Sequence, residues 1–170
     1  MINRFFLVLA TVGLLSGTVP AWGQGISEKA AEALAAISVL KTDPLGKDAR
    51  KAITTVGEYA NSETSVMVVV RASYFPELDT VGADNFNLLM ASYLAGNMEP
   101  QILNSRTVDH PLQGMKTVLH TYTLLREKGT IHEVPEFEKW KHLGDEEFEI
   151  LLKKLRASDT LMENPLGVMQ

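Results

Sequence analysis

The chain has 170 residues, 16 of them Lys or Arg and 21 Asp or Glu, and it contains no cysteine. The length suggests a single domain, and the net charge of −5 argues against a nucleic-acid partner, since such binding depends on cationic contacts to phosphate. Without cysteine there are no disulfides and no thiol chemistry, so stability must come from burying a hydrophobic core.

The first 23 residues resemble a signal peptide in their pattern. Arg4 precedes an apolar run over 5–15, and small residues then allow cleavage after Ala21 or after Gly23. We therefore expect export to a bacterial periplasm or beyond, with no membrane association after cleavage. The alternative is an uncleaved N-terminal anchor. The remaining chain is divided into a helical domain, 25–157, and a flexible C-terminal tail, 158–170.

The mature chain begins with two predicted helices. Ser27 is a good N-cap for the first, whose apolar stripe consists mostly of alanines. Asp43 is expected to cap the second helix, with Pro44 at its first position. Because few residues separate the two helices, we predict an antiparallel hairpin.

The segment 65–71 has a different character. It reads Ser-Val-Met-Val-Val-Val-Arg and is rich in β-branched residues with no polar face. Such a short apolar run is either a buried strand or a buried helical turn. Side-chain propensity favours the extended form.

The central element is a predicted helix that begins after a cap at Asp84. It is apolar on most faces, with one stripe formed by Phe86, Leu89, Met90 and Tyr93, so we expect it in the middle of the fold. Gly96-Asn97 suits a helix end. The alternative is that the helix continues through Pro100 with a kink.

Three further helices are predicted downstream. The first, over 112–128, is amphipathic and contains Gly114, whose cost of about 1 kcal/mol should be offset by close packing on the central helix. The second lies within 134–143 and has Phe137 and Trp140 as its apolar residues. The third covers 145–156, with acidic residues first and basic residues last.

These elements predict a mainly α fold. We expect a single-domain helical bundle or a short α-solenoid of helix hairpins, with one possible short extended segment near 65–71. No internal repeat with a period of about 34 residues is found.

Motifs that carry chemistry are not evident. His132-Glu133 begins like a zinc-protease motif, but position 136 is Glu where the second His is required. The carboxylates of 133–149 alternate with lysines, which is typical of a solvated face. No catalytic, cofactor-binding or metal-binding residue is therefore assigned, and no cofactor is expected.

Arg71 is the one unusually placed charge, because it directly follows the apolar run. It either reaches water from the edge of the core or contacts an anion in a groove. Tyr74 and Trp140 are the aromatic residues that could line such a groove, although core packing would also explain them. Arg71, Tyr74 and Trp140 are thus the candidate groove contacts.

Two function classes follow. The first is an exported, non-enzymatic module that binds a protein partner or a second copy of itself. The second is an enzyme or enzyme accessory whose acid–base site combines dispersed groups, for example His120 with a carboxylate of 133–149.

Overall fold

The computed structural model describes residues 26–77 and 80–163, with backbone only from 160 onward. Within this part the chain forms six α-helices and no β-strand, so the predicted mainly α bundle is confirmed. The helices are α1 (Glu28–Thr42), α2 (Ala49–Ser62), α3 (Ala83–Asn104), α4 (Pro111–Glu127), α5 (Pro135–Trp140) and α6 (Asp145–Glu163), with a 3₁₀ turn at Ala72–Tyr74 between α2 and α3. The predicted signal segment, 1–23, lies outside the described residues.

Helices α1 and α2 form the predicted antiparallel hairpin. The hydroxyl of Ser27 accepts a hydrogen bond from the Ala30 N–H at 3.2 Å, as expected of an N-cap. An ion pair of 3.0 Å joins Lys29, at the start of α1, to Glu63, just past the end of α2. The two helices therefore run in opposite directions.

The predicted start of α2 at Pro44 is wrong. Residues 43–48 form a turn instead, in which the Gly46 N–H donates to the Asp43 carbonyl at 3.1 Å. The Asp43 carboxylate lies over Gly46, where any Cβ would collide with it. This turn delays the helix to Ala49.

Helix α3 is the central element and packs against α1, α2 and α4. Leu89 and Tyr93 are fully buried, as predicted. Phe86 is 38% exposed, so the prediction that it belongs to the buried stripe is wrong. The helix begins at Ala83 after Gly82, so Asp84 is a first-turn residue and not the cap.

The predicted end of α3 at Gly96-Asn97 is also wrong, and the alternative of a helix continuing through Pro100 is confirmed. Gly96 is needed for packing: a Cβ there would collide with the Gln113 carbonyl of α4. Reciprocally, a Cβ on Gly114 would lie 2.7 Å from the Tyr93 ring. The two glycines let α3 and α4 approach closely, as predicted for Gly114.

Helices α5 and α6 cover the outer side of α4 through aromatic contacts. The Phe137 ring lies 5.2 Å from that of Tyr122 and 5.6 Å from that of Trp140, and Trp140 in turn lies 6.3 Å from Phe148. Helix α6 extends to Glu163, six residues past the predicted boundary at 157. The first part of the predicted flexible tail is therefore helical, while 164–170 lie outside the described residues.

The segment 65–71 is neither helix nor part of a sheet, but Arg71 has extended backbone angles. None of the described helices combines the length and the apolar character that crossing a bilayer would require.

Candidate functional site

Side chains from α3 and from the loop after it hold the segment 65–70 in place. The Gln101 amide binds both backbone groups of Met67: its Nε2 donates to the carbonyl at 2.8 Å, and its Oε1 accepts from the N–H at 2.9 Å. A neighbouring β-strand would normally supply such a pair of bonds.

The neighbouring odd-numbered residues are bound in the same way. The Val69 carbonyl accepts from the Tyr93 hydroxyl at 2.9 Å, and the Val69 N–H donates to the Asp109 carboxylate at 3.2 Å. The Ser65 carbonyl accepts from the Thr107 hydroxyl at 2.9 Å. Backbone groups at 65, 67 and 69 thus point to one side, which is the two-residue period of an extended chain.

A buried amide organises these side chains. Asn97 is fully buried; its Nδ2 donates to Asp109 at 2.7 Å, and its Oδ1 accepts from Gln101 at 2.9 Å and from the His110 N–H at 3.1 Å. Because every polar atom of the Asn97 side chain has a partner, the network holds Gln101 and Asp109 in fixed positions.

The Tyr93 hydroxyl is suited to its role as a donor. Burial, and then the nearby Asp109 carboxylate, raise the pKa of Tyr93 above its ordinary value of 10.0. The phenol therefore keeps its proton at any physiological pH and continues to donate to Val69.

Two arginines and two aspartates surround the end of the segment. The Arg71 guanidinium lies 4.0 Å from the Asp159 carboxylate, and Asp159 also accepts from the Ser73 hydroxyl at 2.7 Å. Arg156 lies 3.8 Å from Asp109. The C-terminal part of α6 is thereby fastened to the segment. Beside it, the buried Arg71 Nε and Tyr74 hydroxyl find no hydrogen-bond partner among the described residues.

The opposite edge of the segment is open. Among the described residues, the backbone N–H and C=O groups of Val66, Val68 and Val70 have no protein partner. Because unpaired backbone groups are rarely buried, we infer that these groups are accessible to solvent or to a binding partner. The side chains of Val66 and Val68 pack against the core, so the segment itself is firmly seated.

Two strongly exposed apolar side chains lie on the segment itself. They are Met67 (47%) and Val70 (46%), two of the six large hydrophobic residues that are strongly exposed in the described part of the chain. We call these two residues, together with the open edge at 66, 68 and 70, the apolar surface.

The candidate groove contacts do not form one site. Arg71 lies at the end of the apolar surface, but Tyr74 is fully buried, with its ring 6.2 Å from that of Tyr93. Trp140 belongs to the separate aromatic cluster between α4, α5 and α6. The residues that sequence reasoning missed are Asn97, Gln101 and Asp109. The sequence feature that could have indicated them is the presence of two amide residues, Asn97 and Gln101, in an otherwise apolar helix.

Of the predicted acid–base groups, His120 shares a cleft of about 260 Å³ with Asp145, whose carboxylate is paired with Lys116. His120, His132 and His142 are exposed, and no group of three His, Asp or Glu residues there could hold a metal ion. His120 borders a cleft of about 400 Å³ between α1, α3 and α4. The two lysines of this cleft are already paired, Lys41 with Glu99 and Lys116 with Asp145.

Comparisons of the chain with protein-family models, with curated proteins and with solved structures find no match. The function must therefore be inferred from the geometry of the molecule. The apolar surface is its most distinctive feature.

Proposed function

We propose that the protein is an exported, non-enzymatic interaction module that binds a protein partner through the apolar surface. The observation that carries the proposal is the row of unpartnered backbone groups at Val66, Val68 and Val70, on a segment that also exposes Met67 and Val70. An open strand edge is a common way to bind an extended segment.

The rigidity of the segment supports the proposal. Gln101, Tyr93 and Asp109 hold its inner edge through four side-chain hydrogen bonds at Met67 and Val69, and the buried Asn97 amide in turn holds Gln101. A pre-ordered edge lowers the entropy cost of association. The arrangement therefore favours binding over a merely loose connection between α2 and α3.

Export is the other half of the proposal. It is supported by the sequence pattern of residues 1–23. Mass spectrometry of the purified mature protein tests it. An N-terminus at Trp22 or Gln24 is expected, whereas a retained Met1 in the cell-envelope fraction would contradict cleavage.

Affinity capture from a periplasmic extract tests the interaction. The baits are the wild-type protein, Met67→Glu and a matched control, Ile150→Glu, which places the same charge at an equally exposed apolar site on α6 (48%). We expect the wild type and the control to retain the same partner protein and Met67→Glu to lose it. Equal retention by all three baits, or none by the wild type and no self-association, would refute the proposal.

A further inference from the structure

We infer that the partner is a second copy of this chain, paired antiparallel through the open edges of 66–70 about a two-fold axis at Val68. The inference rests on the proposed function, because it assigns an occupant to the same surface. Its evidence is the direction of the backbone groups, the side-chain pattern of the segment and the distribution of charge around it.

The backbone groups fit this pairing. In an antiparallel pair, residues that exchange two hydrogen bonds alternate with residues that exchange none. The outward-facing residues of the segment are Val66, Val68 and Val70. An axis at Val68 sets Val68 opposite its own copy, and Val66 opposite Val70 of the second copy. All three outward residues of both chains then find partners.

The alternative centre is less favourable. An axis at Met67 would pair Val66 with Val68 of the second copy, and it would set Val70 opposite Thr64, at the start of the segment. Only Val66 and Val68 would then pair with residues of the open edge, and Val70 would not. The centre at Val68 is therefore the one that uses the whole open edge.

The side chains are self-complementary in that register. Positions 66, 68 and 70 are all valine, and Met67 faces Val69 of the second copy. Pairs of β-branched and other apolar residues stabilise neighbouring strands. The half-exposed side chains of Met67 and Val70 would lie beside Val69 and Val66 of the second copy, respectively.

The charges favour a second copy over a charged peptide. Residues 64–70 carry no charge, so self-pairing opposes no like charges. Arg71, the next residue along the chain, already faces Asp159. A strongly charged segment would find no opposite charge among residues 64–70.

The edge also lacks the features that keep monomers apart. Natural edge strands are commonly protected by lysine, proline or a bulge. The segment 65–70 contains no charged residue, no proline and no glycine. An edge that is both rigid and unprotected is expected in a protein that pairs through it.

Light scattering coupled to size-exclusion chromatography of the full mature chain tests the inference. We expect a dimer for the wild type and for Ile150→Lys, and a monomer for Val70→Lys, which introduces a charge on the edge at an exposed position. Val68→Pro should also be monomeric, because proline removes the outward N–H and leaves the inward bonds of Met67 and Val69 intact. Circular dichroism checks that each variant remains helical.

Amide hydrogen exchange gives a second, residue-level test that needs no variant. The N–H groups of Met67 and Val69 are bonded within one chain and should be protected at every protein concentration. Those of Val66, Val68 and Val70 should be protected at high concentration and exchange rapidly on dilution. Rapid exchange of these three at all concentrations would overturn the inference.

Other outcomes identify other occupants. Protection of Val66, Val68 and Val70 that is independent of concentration and disappears when the chain is cut after Glu163 would assign the edge to the chain's own C-terminal tail. If the wild type is a strict monomer but captures a different protein, and Met67→Glu no longer captures it, self-pairing is refuted and the proposed function stands. A strict monomer without any retained partner would refute both.

Discussion

Gln101 gives Met67 the two hydrogen bonds that a neighbouring β-strand would give, at 2.8 and 2.9 Å, although the two residues are 34 positions apart. A primary amide side chain carries one donor and one acceptor in nearly the arrangement of a peptide group. A helix can therefore bind an extended segment through a single well-placed glutamine. The segment remains available for pairing on its other edge.

The first prediction concerns this glutamine. Gln101→Met keeps the length of the side chain but leaves the N–H and C=O of Met67 without partners. Each unsatisfied group costs about 1–3 kcal/mol when it is buried, so the free energy of unfolding should fall by at least about 1 kcal/mol in urea titrations. The control Gln113→Met, at an exposed position of α4, should change it little. Equal effects of the two substitutions would contradict the assigned role.

The second prediction concerns the close contact of α3 and α4. Gly114→Ala gains helix propensity but sets a methyl group 2.7 Å from the Tyr93 ring and 3.0 Å from the backbone carbonyl oxygen of Tyr93. We expect net destabilisation, seen as a lower melting temperature. Gly57→Ala is the matched control: nothing lies within 4 Å of its Cβ, and it should stabilise the protein by about 0.5–1 kcal/mol. If Gly114→Ala were equally stabilising, the close approach of the helices would be disproved.

The third prediction concerns the attachment of α6. Asp159→Ala removes the acceptor of Ser73 and the carboxylate facing Arg71, both partly buried. A hydrogen bond to a charged group contributes about 1.5–3 kcal/mol, so we expect a loss of roughly that size in chemical unfolding. Glu149→Ala breaks only an exposed pair with Lys153 and should cost no more than about 0.5 kcal/mol. A reversed order of the two losses would count against the docking of α6.

The fourth prediction is a dependence of stability on pH. The Lys141 ammonium and then the Tyr122 hydroxyl lower the pKa of Glu138 below its ordinary value of 4.5. The folded protein therefore binds this proton more weakly than the unfolded chain does. The stabilisation is complete above the unfolded pKa and is lost as the pH falls through the lower, folded one.

Unfolding in urea over a pH series checks the fourth prediction. Glu138→Gln should lose less stability than the wild type does between neutral and acidic pH, because this carboxylate no longer titrates. Glu146→Gln, at an exposed position, should retain the acid sensitivity of the wild type. Identical pH profiles for the wild type and Glu138→Gln would contradict the assignment.

Local signals were sufficient to predict much of the fold. The Ser27 cap and the acidic first turn of α6 are found as predicted, and the helix predicted over 112–128 is found as α4, Pro111–Glu127. The role of Gly114 could also be predicted, because a glycine inside an otherwise good helix needs a compensating contact.

Longer-range relationships could not be predicted. Gly96 and Asn97 have the composition of a helix end, but tertiary packing uses the first to admit α4 and the second to hold Asp109 and Gln101. Neither use leaves a periodic signal along the chain. The same holds for the candidate site, since its partners are brought together from positions 65–73, 93–109 and 156–159.

The sequence separation of these partners has a consequence for folding. The bonds of Met67 and Val69 to Gln101 and Asp109 span 34 and 40 residues, so they cannot form until α3 and the following loop have been made and positioned. Contacts of such separation carry a greater loop-closure cost than the contacts within the α3–α4 hairpin. We therefore expect the valine-rich stretch to dock late, after the α3–α4 hairpin. Until then it is an uncharged, β-prone sequence exposed to other unfolded molecules, and refolding yield should fall steeply as protein concentration rises.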